Sequence, residues 1–329
     1  MQAEENKSKY LFWVVGVCAL AALVLPIAHV PFGNYIMSVL TFSFIYTVLG
    51  QSWNLLGGLA KQFSLGHAAF FGLGAFATAF FCDLGLPALV SLGLGGLFVA
   101  GFSLPLGLIC FSARGPYFTI ITLAIAEILR IIFLWRPELS GSEGMVVANN
   151  MFSSKIGIYY LTLFVAAASI AVTYWLARSN QGLALMAIGD DEDACAEIGI
   201  KVKNTKSSTL LISAGMCAVA GGTYGLFTQY LSPNDVFAIT YSLDAIFISI
   251  IGGIGHPFGP LVGALLFSLL EETLNPLVPN AHLLVLGVIL VGIMFVLPKG
   301  LVTLVTNSEH QGHVVGIKIK RREAANAPS

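Results

Sequence analysis

Long apolar segments recur along this chain of 329 residues, and charged residues rarely interrupt them. Hydrophobic residues make up 57% of the sequence and charged residues only 10%. A segment of about 20 apolar residues is long enough to cross the hydrocarbon core of a bilayer as an α-helix. Transmembrane β-strands need short alternating segments, whereas residues 161–176 and 282–297 carry no charge on any face. The sequence therefore predicts an all-α polytopic membrane protein.

Apolar length predicts about ten transmembrane helices within a single transmembrane domain that covers residues 1–329. The first apolar run is too long for the core of a signal peptide, so we expect it to be a span. The short eighth span meets the ninth across a glycine-rich stretch, which predicts a broken or re-entrant element near 252–260 and leaves nine spans as an alternative. The predicted spans are 10–30, 35–57, 66–83, 87–111, 117–135, 157–177, 207–229, 241–254, 259–276 and 281–298.

Lysine and arginine are distributed unevenly over the predicted loops. If the N-terminus is cytoplasmic, 13 of the 16 basic residues lie on the cytoplasmic side. Arg136 and Lys155 then lie outside, and Arg130 lies within a span. Because basic residues concentrate in cytoplasmic loops, we predict cytoplasmic N- and C-termini, a cytoplasmic loop over 178–206 and a cytoplasmic tail over 299–329.

The loop over 178–206 holds nine charged side chains, and its acidic residues are clustered. Carboxylates stabilise the first turn of a helix, and glycine often follows its last residue. The run from Asp190 to Asp193 and the later Gly199 therefore predict a short helix of two to three turns over 190–199. Ala194 and Ile198 would share one face of it. From these residues alone, a solvated loop helix and a docking surface are equally open.

A set of motifs between residues 35 and 300 occurs in the order found in one family of membrane proteins. They are WNLLGG at 53–58, FSLGHAAFFG at 63–72, RGPYF at 114–118, AEILR at 126–130 and GGIG at 252–255 with GP at 259–260. The loop sequence DACAEIG at 193–199 is similar to an E-A-A-x-x-x-G loop, with Asp193 in place of Glu and Cys195 in place of the second Ala. As a set, these motifs resemble the LivM-type permeases of branched-chain amino acid importers, which are ABC transporters.

The resemblance implies a subunit of an importer in the bacterial cytoplasmic (inner) membrane. Its implied partners are a second, LivH-like permease, two cytoplasmic ATPase subunits and an extracytoplasmic substrate-binding protein. Urea, short amides or other amino acids remain alternative substrates. In this family the acidic loop is the coupling helix that docks on an ATPase, so the candidate coupling residues are Asp190, Asp191, Asp193, Ala194, Cys195, Glu197, Ile198 and Gly199.

Polar residues in or beside the spans are candidates for a translocation path. Glu127 and Arg130 are three residues apart on one helical face, so we expect them to pair within the helix. Ser64 and His67 precede or open the third span, where exposed backbone beside an aqueous path is plausible. A stand-alone ion-driven carrier that uses Glu127 or His67 is the alternative. The path candidates are Ser64, His67, Tyr117, Thr122, Glu127, Ser249 and His256.

The sequence contains no pattern typical of an enzyme, a metal site or a cofactor site. The stretch 252–260 lacks the Gly-Lys-Ser/Thr ending of a phosphate-binding loop. The five cysteines fall singly, and no catalytic constellation lies in the spans. We therefore expect a transport subunit without a metal or a cofactor, with ATP hydrolysis by its partners. The basic tail is expected to meet the lipid bilayer, and nothing indicates a nucleic-acid partner.

A weak internal similarity suggests a duplicated half. Gly115, Pro116 and Glu127 recur as Gly259, Pro260 and Glu271 at one constant offset. Because transporters often contain internal repeats with the solute path between them, we predict a possible repeat.

Overall fold

The computed structural model describes residues 33–136, 144–147 and 155–277, and isolated positions at 287–289, 291, 292, 295 and 300–302. Within them the regular secondary structure is helical, apart from one pair of two-residue strands. In chain order the elements are α1 (Gly33–Trp53), a π-helix (Asn54–Leu59), α2 (His67–Asp83), α3 (Ala88–Cys110), α4 (Pro116–Trp135), β1 (Met145–Val146), α5 (Lys155–Arg178), α6 (Asn180–Asp190), α7 (Glu192–Glu197), α8 (Val202–Thr228), β2 (Tyr230–Leu231), α9 (Pro233–Val236), α10 (Ile239–Gly252) and α11 (Gly259–Leu277).

The predicted all-α membrane architecture is confirmed for this part of the chain. Each of the eight predicted spans between residues 35 and 276 coincides with a helix to within a few residues. In the described ranges, six helical segments are long and apolar enough to cross a membrane, and His67–Asp83 is a shorter apolar helix. The predicted span 10–30, nearly all of the span 281–298 and the tail after residue 302 lie outside the described residues. The total of ten therefore stays a prediction.

Two helices, α1 and α8, organise the bundle. Helix α8 packs against α1, α2 and α3, while α1 also packs against α5, α10 and α11. Glycine allows the closest approaches, as small residues do in membrane bundles. A Cβ atom at Gly221 of α8 would collide with the carbonyl oxygen of Phe71 in α2, and one at Gly74 of α2 would collide with Ala218. The glycine-rich sequence therefore folds into a tightly packed bundle.

The break predicted near 252–260 is confirmed as a turn over 253–258 between α10 and α11. The two helices meet closely there, because a Cβ atom at Gly252 would collide with the carbonyl oxygen of Gly259. A second break was not predicted. The helix that begins with α1 continues as a π-helix to Leu59, and residues 60–66 are non-helical before α2 begins. We call residues 60–66 the unwound segment.

The residues of the predicted repeat occupy similar places in two helices. Gly115 and Pro116 begin α4, and Gly259 and Pro260 begin α11. The repeat itself stays a prediction.

At the other end of the bundle, β1 pairs antiparallel with β2, with Met145 opposite Leu231, and so joins the α4–α5 connection to the end of α8.

Substituting Gly221 by Ala tests the close packing of α2 and α8. Because the new methyl group would meet the backbone of Phe71, we expect the free energy of unfolding in detergent to fall by about 1–3 kcal/mol. Gly101→Ala in α3 is the matched control, since no atom lies within 4 Å of its added Cβ. The control is expected to be neutral or to gain up to about 1 kcal/mol. Equal effects of the two substitutions in thermal unfolding would contradict this packing.

Candidate functional site

The unwound segment enters the bundle, and side chains from other helices satisfy its backbone. Lys61 is largely exposed, whereas Ser64 is buried. Near its middle, Trp53 Nε1 donates a hydrogen bond to the carbonyl oxygen of Ser64 at 3.0 Å, and Thr119 Oγ1 donates to that of Phe63 at 2.7 Å. Non-helical backbone at membrane depth is tolerated only where such partners exist.

Leu65 is held by two further helices. Its N–H donates to Thr122 Oγ1 of α4 at 3.1 Å, and its carbonyl oxygen accepts from Ser242 Oγ of α10 at 2.8 Å. The same Ser242 hydroxyl accepts from the N–H of Ala68 at 2.8 Å, in the first turn of α2. The predicted path residues Ser64 and Thr122 are thus brought together around a single stretch of backbone.

His67 lies beside this segment and is fully buried. Its Nε2 is 3.1 Å from Ser213 Oγ, and that hydroxyl donates to the carbonyl oxygen of Ser52 at 2.7 Å. Because the hydroxyl proton is used there, Nε2 is the protonated nitrogen and donates to Ser213. Its Nδ1 is buried without a hydrogen-bond partner. His67 therefore ties α2 to α8 and, through Ser213, to α1.

The turn over 253–258 is fixed by polar side chains at the end of α1 and in the π-helix. Asn54 Oδ1 accepts from the N–H of Gly255 at 2.7 Å, and Asn54 Nδ2 donates to the carbonyl oxygen of His256 at 3.2 Å. Ser249 Oγ lies 3.0 Å from the carbonyl oxygen of Gly50. Burial lowers the pKa of His256, and its Nδ1 accepts from the N–H of Phe258 at 3.2 Å. Ser249 and His256 thus form a second polar group beside α1.

The two remaining path candidates lie apart from these groups. Tyr117 is 72% exposed at the start of α4. Glu127 and Arg130 form the predicted pair within one helix, with Arg130 Nε 3.1 and 3.0 Å from the two carboxylate oxygens. Arg130 also donates to Asn234 Oδ1 at 2.8 Å. The Glu127 side chain is 51% exposed, so it lies on the side of the bundle rather than in its centre.

The acidic loop folds into two helices rather than one. The prediction that Asp190 begins the short helix was wrong, because Asp190 is the last residue of α6. Asp191 is the N-cap of α7, with its Oδ1 accepting from the N–H groups of Asp193 and Ala194 at 3.0 Å each. The predicted end is confirmed: Gly199, just after the C-cap residue Ile198, has a φ of +89°.

Three acidic side chains of this region are paired within the chain. Asp190 Oδ1 lies 2.7 Å from Lys61 Nζ, in the unwound segment. Asp193 Oδ1 lies 2.9 Å from the guanidinium of Arg114, just before α4, and Glu192 Oε2 lies 2.6 Å from the nearly buried Lys206 Nζ of α8. These ion pairs connect α6 and α7 to three other parts of the bundle.

The outer face of α7 is left open by these pairs. Cys195 is buried against Ile188 and Val202, which explains why a small residue is required there. Ala194, Ala196, Glu197, Ile198 and Gly199 are exposed, and Ile198 is 77% exposed. We call these five residues the α7 surface. It combines one carboxylate with an apolar knob.

Helix α6 lies directly against the π-helix. Leu185 of α6 packs with Leu55, Leu59 and Ala60 in one buried cluster. Gly189, near the end of α6, would bring an added Cβ to 3.1 Å from the backbone of Leu59 and Ala60. Helix α6, which precedes the α7 surface in the chain, therefore contacts the start of the unwound segment at Ala60.

A cavity of about 310 Å³, which the sequence does not predict, lies at the end of the bundle opposite α7. Its lining includes Tyr46 of α1, Tyr224 of α8, Asp244 of α10 and Glu271 of α11. The available signal was the rarity of ionisable residues in membrane spans. The same rarity that makes Glu127 a candidate also applies to Asp244 in α10.

Long apolar helices packed into one bundle, with polar groups held between them, define an integral membrane protein. The chain belongs to the family described as "Branched-chain amino acid transport system / permease component", which matches residues 35–296. It is 28% identical over 315 residues to the high-affinity branched-chain amino acid transport system permease protein LivM of Escherichia coli strain K12, covering 86% of this chain and 73% of that protein.

Two other relatives place the chain within the same family. The LivM protein of Salmonella typhimurium is 27% identical over 296 residues, or 80% of this chain and 69% of that protein. The LivH permease of the same organism is 25% identical over 168 residues, or 50% of this chain and 54% of that protein. No solved structure matches the chain.

Thr122→Val tests the role of side-chain acceptors for the unwound segment. The change keeps the side-chain shape but leaves the Leu65 N–H without its acceptor, so the free energy of unfolding should fall by about 1–3 kcal/mol. Thr173→Val is the control, because the buried Thr173 hydroxyl donates only to the carbonyl oxygen of Ser169 within its own helix. Denaturant unfolding of the two variants in detergent measures the difference. A loss for Thr173→Val as large as that for Thr122→Val would contradict the assignment.

Proposed function

We propose that this chain is the permease subunit that moves branched-chain, apolar amino acids across the bacterial inner membrane. It would act with a LivH-like second permease, two cytoplasmic ATPases and an extracytoplasmic binding protein. The observation that carries the proposal is the family match over residues 35–296, since the relatives are named as permeases for these substrates. The low charge of the helices fits a path that leaves most substrate recognition to the binding protein.

The proposed orientation of the bundle in the membrane rests on the positions of its basic side chains. Lys61, Arg114 and Lys206 lie at the end of the bundle that carries α6 and α7, because each pairs with an acidic residue of that region. Basic residues favour the cytoplasmic side. In the proposed orientation the α7 surface faces the cytoplasm, with both termini on that side and the cavity near Asp244 towards the outside.

The α7 surface is the proposed docking site for an ATPase. Its apolar knob at Ile198 is 77% exposed, while its inner side is fixed by Cys195 and by the ion pairs of Glu192 and Asp193. Movement of α7 would reach the unwound segment by two routes. One passes through the packing of α6 on the π-helix, and the other through the Asp190–Lys61 pair.

Substrate class is tested with the binding protein and the reconstituted complex. We expect leucine, isoleucine and valine to raise the melting temperature of the binding protein, and urea and acetamide to leave it unchanged. Radiolabelled leucine should then enter proteoliposomes only when ATP is supplied on the ATPase side. A thermal shift with urea or amides alone would overturn the substrate. Uptake by this chain alone under an ion gradient would overturn the importer and favour a stand-alone carrier.

A charge swap tests coupling through the Arg114–Asp193 pair. Exposed ion pairs contribute about 0–1 kcal/mol, so Arg114→Asp and Asp193→Arg should each leave the folded complex intact. Each single change places like charges together, displaces α7 from α4, and should lower substrate-stimulated ATPase activity and uptake severalfold. The double variant restores opposite charges and should recover most of the activity. Asn204→Asp, an exposed change at the start of α8, is the control for added charge. Failure of the double variant to recover would contradict the role of the pair.

A further inference from the structure

Lys206 lies near the start of α8 and is only 3% exposed. In the described ranges it is the one charged residue that is buried. A buried ammonium group is costly unless other groups pair with it. No acidic residue lies within four positions of Lys206 in the sequence, so its own helix offers no counter-charge. Its partner must therefore come from another element of the fold.

The ammonium group of Lys206 lies where α7 meets the ends of the membrane-spanning helices. Its Nζ is 2.6 Å from Oε2 of Glu192, the first residue of α7, whose side chain is 24% exposed. The same Nζ lies 6.0 Å from the ring centroid of Phe111, at the end of α3. The Phe111 ring in turn stacks on Phe118 of α4, with centroids 5.4 Å apart. Lys206 thus joins α7 and α8 at a point that α3 and α4 shield from water.

This shielding distinguishes the pair from the other ion pairs of the acidic loop. The side chains of the Lys61–Asp190 and Arg114–Asp193 pairs are each at least 62% exposed. Water replaces such exposed partners at little cost. Separating the shielded pair instead leaves a buried charge without its partner, which is strongly unfavourable. Displacement of α7 therefore acts on α8 through Lys206 more firmly than on other elements through the exposed pairs.

The face of α8 that carries Lys206 continues to the unwound segment. Ser213 and Cys217 follow Lys206 by about two and three turns, so the three residues lie on one side of the helix. Ser213 Oγ donates to the carbonyl oxygen of Ser52 at 2.7 Å and lies 3.1 Å from His67 Nε2. Cys217 Sγ lies 3.2 Å from the carbonyl oxygen of His67. Because His67 directly follows the unwound segment, α8 links that segment to α7.

We propose that Lys206 is a positioning residue for coupling, which ties α7 to α8 so that α8 passes the displacement of α7 on to His67 and the unwound segment. The inference deepens the proposed function and rests on it, because an ATPase must move α7. It adds a route through α8 to the two routes that start from α6 and Asp190. Neither Glu192 nor Lys206 belongs to the α7 surface, so docking itself does not require the pair.

The complete reconstituted importer, with its binding protein, tests the proposal. Lys206→Met removes the ammonium group and keeps most of the side-chain length. We expect the ATPases to co-purify as before, while leucine-stimulated ATP hydrolysis and leucine uptake fall about fivefold or more, the size of a typical coupling between two sites. Lys203→Met is the matched control, since Lys203 is an exposed lysine of the same helix. Equal coupling in the two variants would overturn the proposal.

Two further variants separate positioning from stability. Lys206→Arg keeps the charge and should retain most of the coupling. Glu192→Leu combined with Lys206→Met replaces the ion pair by an apolar contact, a change that is often neutral or stabilising. This double variant should assemble and stay weakly coupled, because an apolar contact fixes the position of α7 less strictly. Full coupling in the double variant, or equal losses in Lys206→Arg and Lys206→Met, would show a structural role and overturn the proposal.

The route through α8 is tested by combining Lys206→Met with Ser213→Ala. The two residues lie about 10 Å apart along the helix, so their effects on thermal unfolding should add. Their effects on uptake should not add, because both changes interrupt one route. The double variant should take up leucine about as fast as the slower single variant. Losses of uptake that multiply would overturn the route through α8.

The same assays separate this proposal from the proposed function. An unmodified importer that moves leucine with ATP, together with a Lys206→Met variant that does so equally well, refutes only the role of Lys206. An unmodified importer that moves no amino acid would overturn the proposed function together with this proposal.

Discussion

Backbone that leaves the helical path inside a membrane protein must find hydrogen-bond partners, and in this bundle the requirement falls on the unwound segment. A lipid environment supplies no water to replace them. Trp53, Thr119, Thr122 and Ser242 supply side-chain donors and acceptors from α1, α4 and α10. The segment thereby fixes the relative positions of these helices, because a shift of any one breaks a buried or partly buried hydrogen bond.

The charges of the acidic loop stabilise its attachment more than they shape its open face. Asp190, Glu192 and Asp193 each have a basic partner in a different element, and these partners are Lys61, Lys206 and Arg114. Only the Lys206 pair is largely shielded from solvent, so it contributes most to holding α7. The two exposed pairs, Asp190–Lys61 and Asp193–Arg114, contribute little energy and mainly orient α6 and α7 on the bundle. Ile198 of the α7 surface takes no part in these pairs and stays exposed.

The sequence alone predicted where the described membrane-spanning helices lie, but not the unwound segment or the cavity between them. Apolar length located eight described spans, and the i, i+3 spacing identified the Glu127–Arg130 pair, because both signals are local. The start of α7 was misplaced because carboxylates stabilise the first turn of a helix in general, so the acidic run does not identify the N-cap, and only the fold selects Asp191. The unwound segment was missed because its partners, such as Ser242, are far away in sequence. The cavity was missed for the same reason, since its lining comes from four helices.

The unwound segment and the cavity share two helices, α1 and α10, and this joins the two ends of the bundle. In α10, Ser242 bonds the unwound segment while Asp244, two residues later, lines the cavity. In α1 the corresponding residues, Trp53 and Tyr46, are separated by about two turns. Phe71 of α2 also stacks on Tyr241 with ring centroids 4.2 Å apart. Because closely packed interiors transmit strain, we expect a displacement of the unwound segment to reach the cavity walls through α1 and α10.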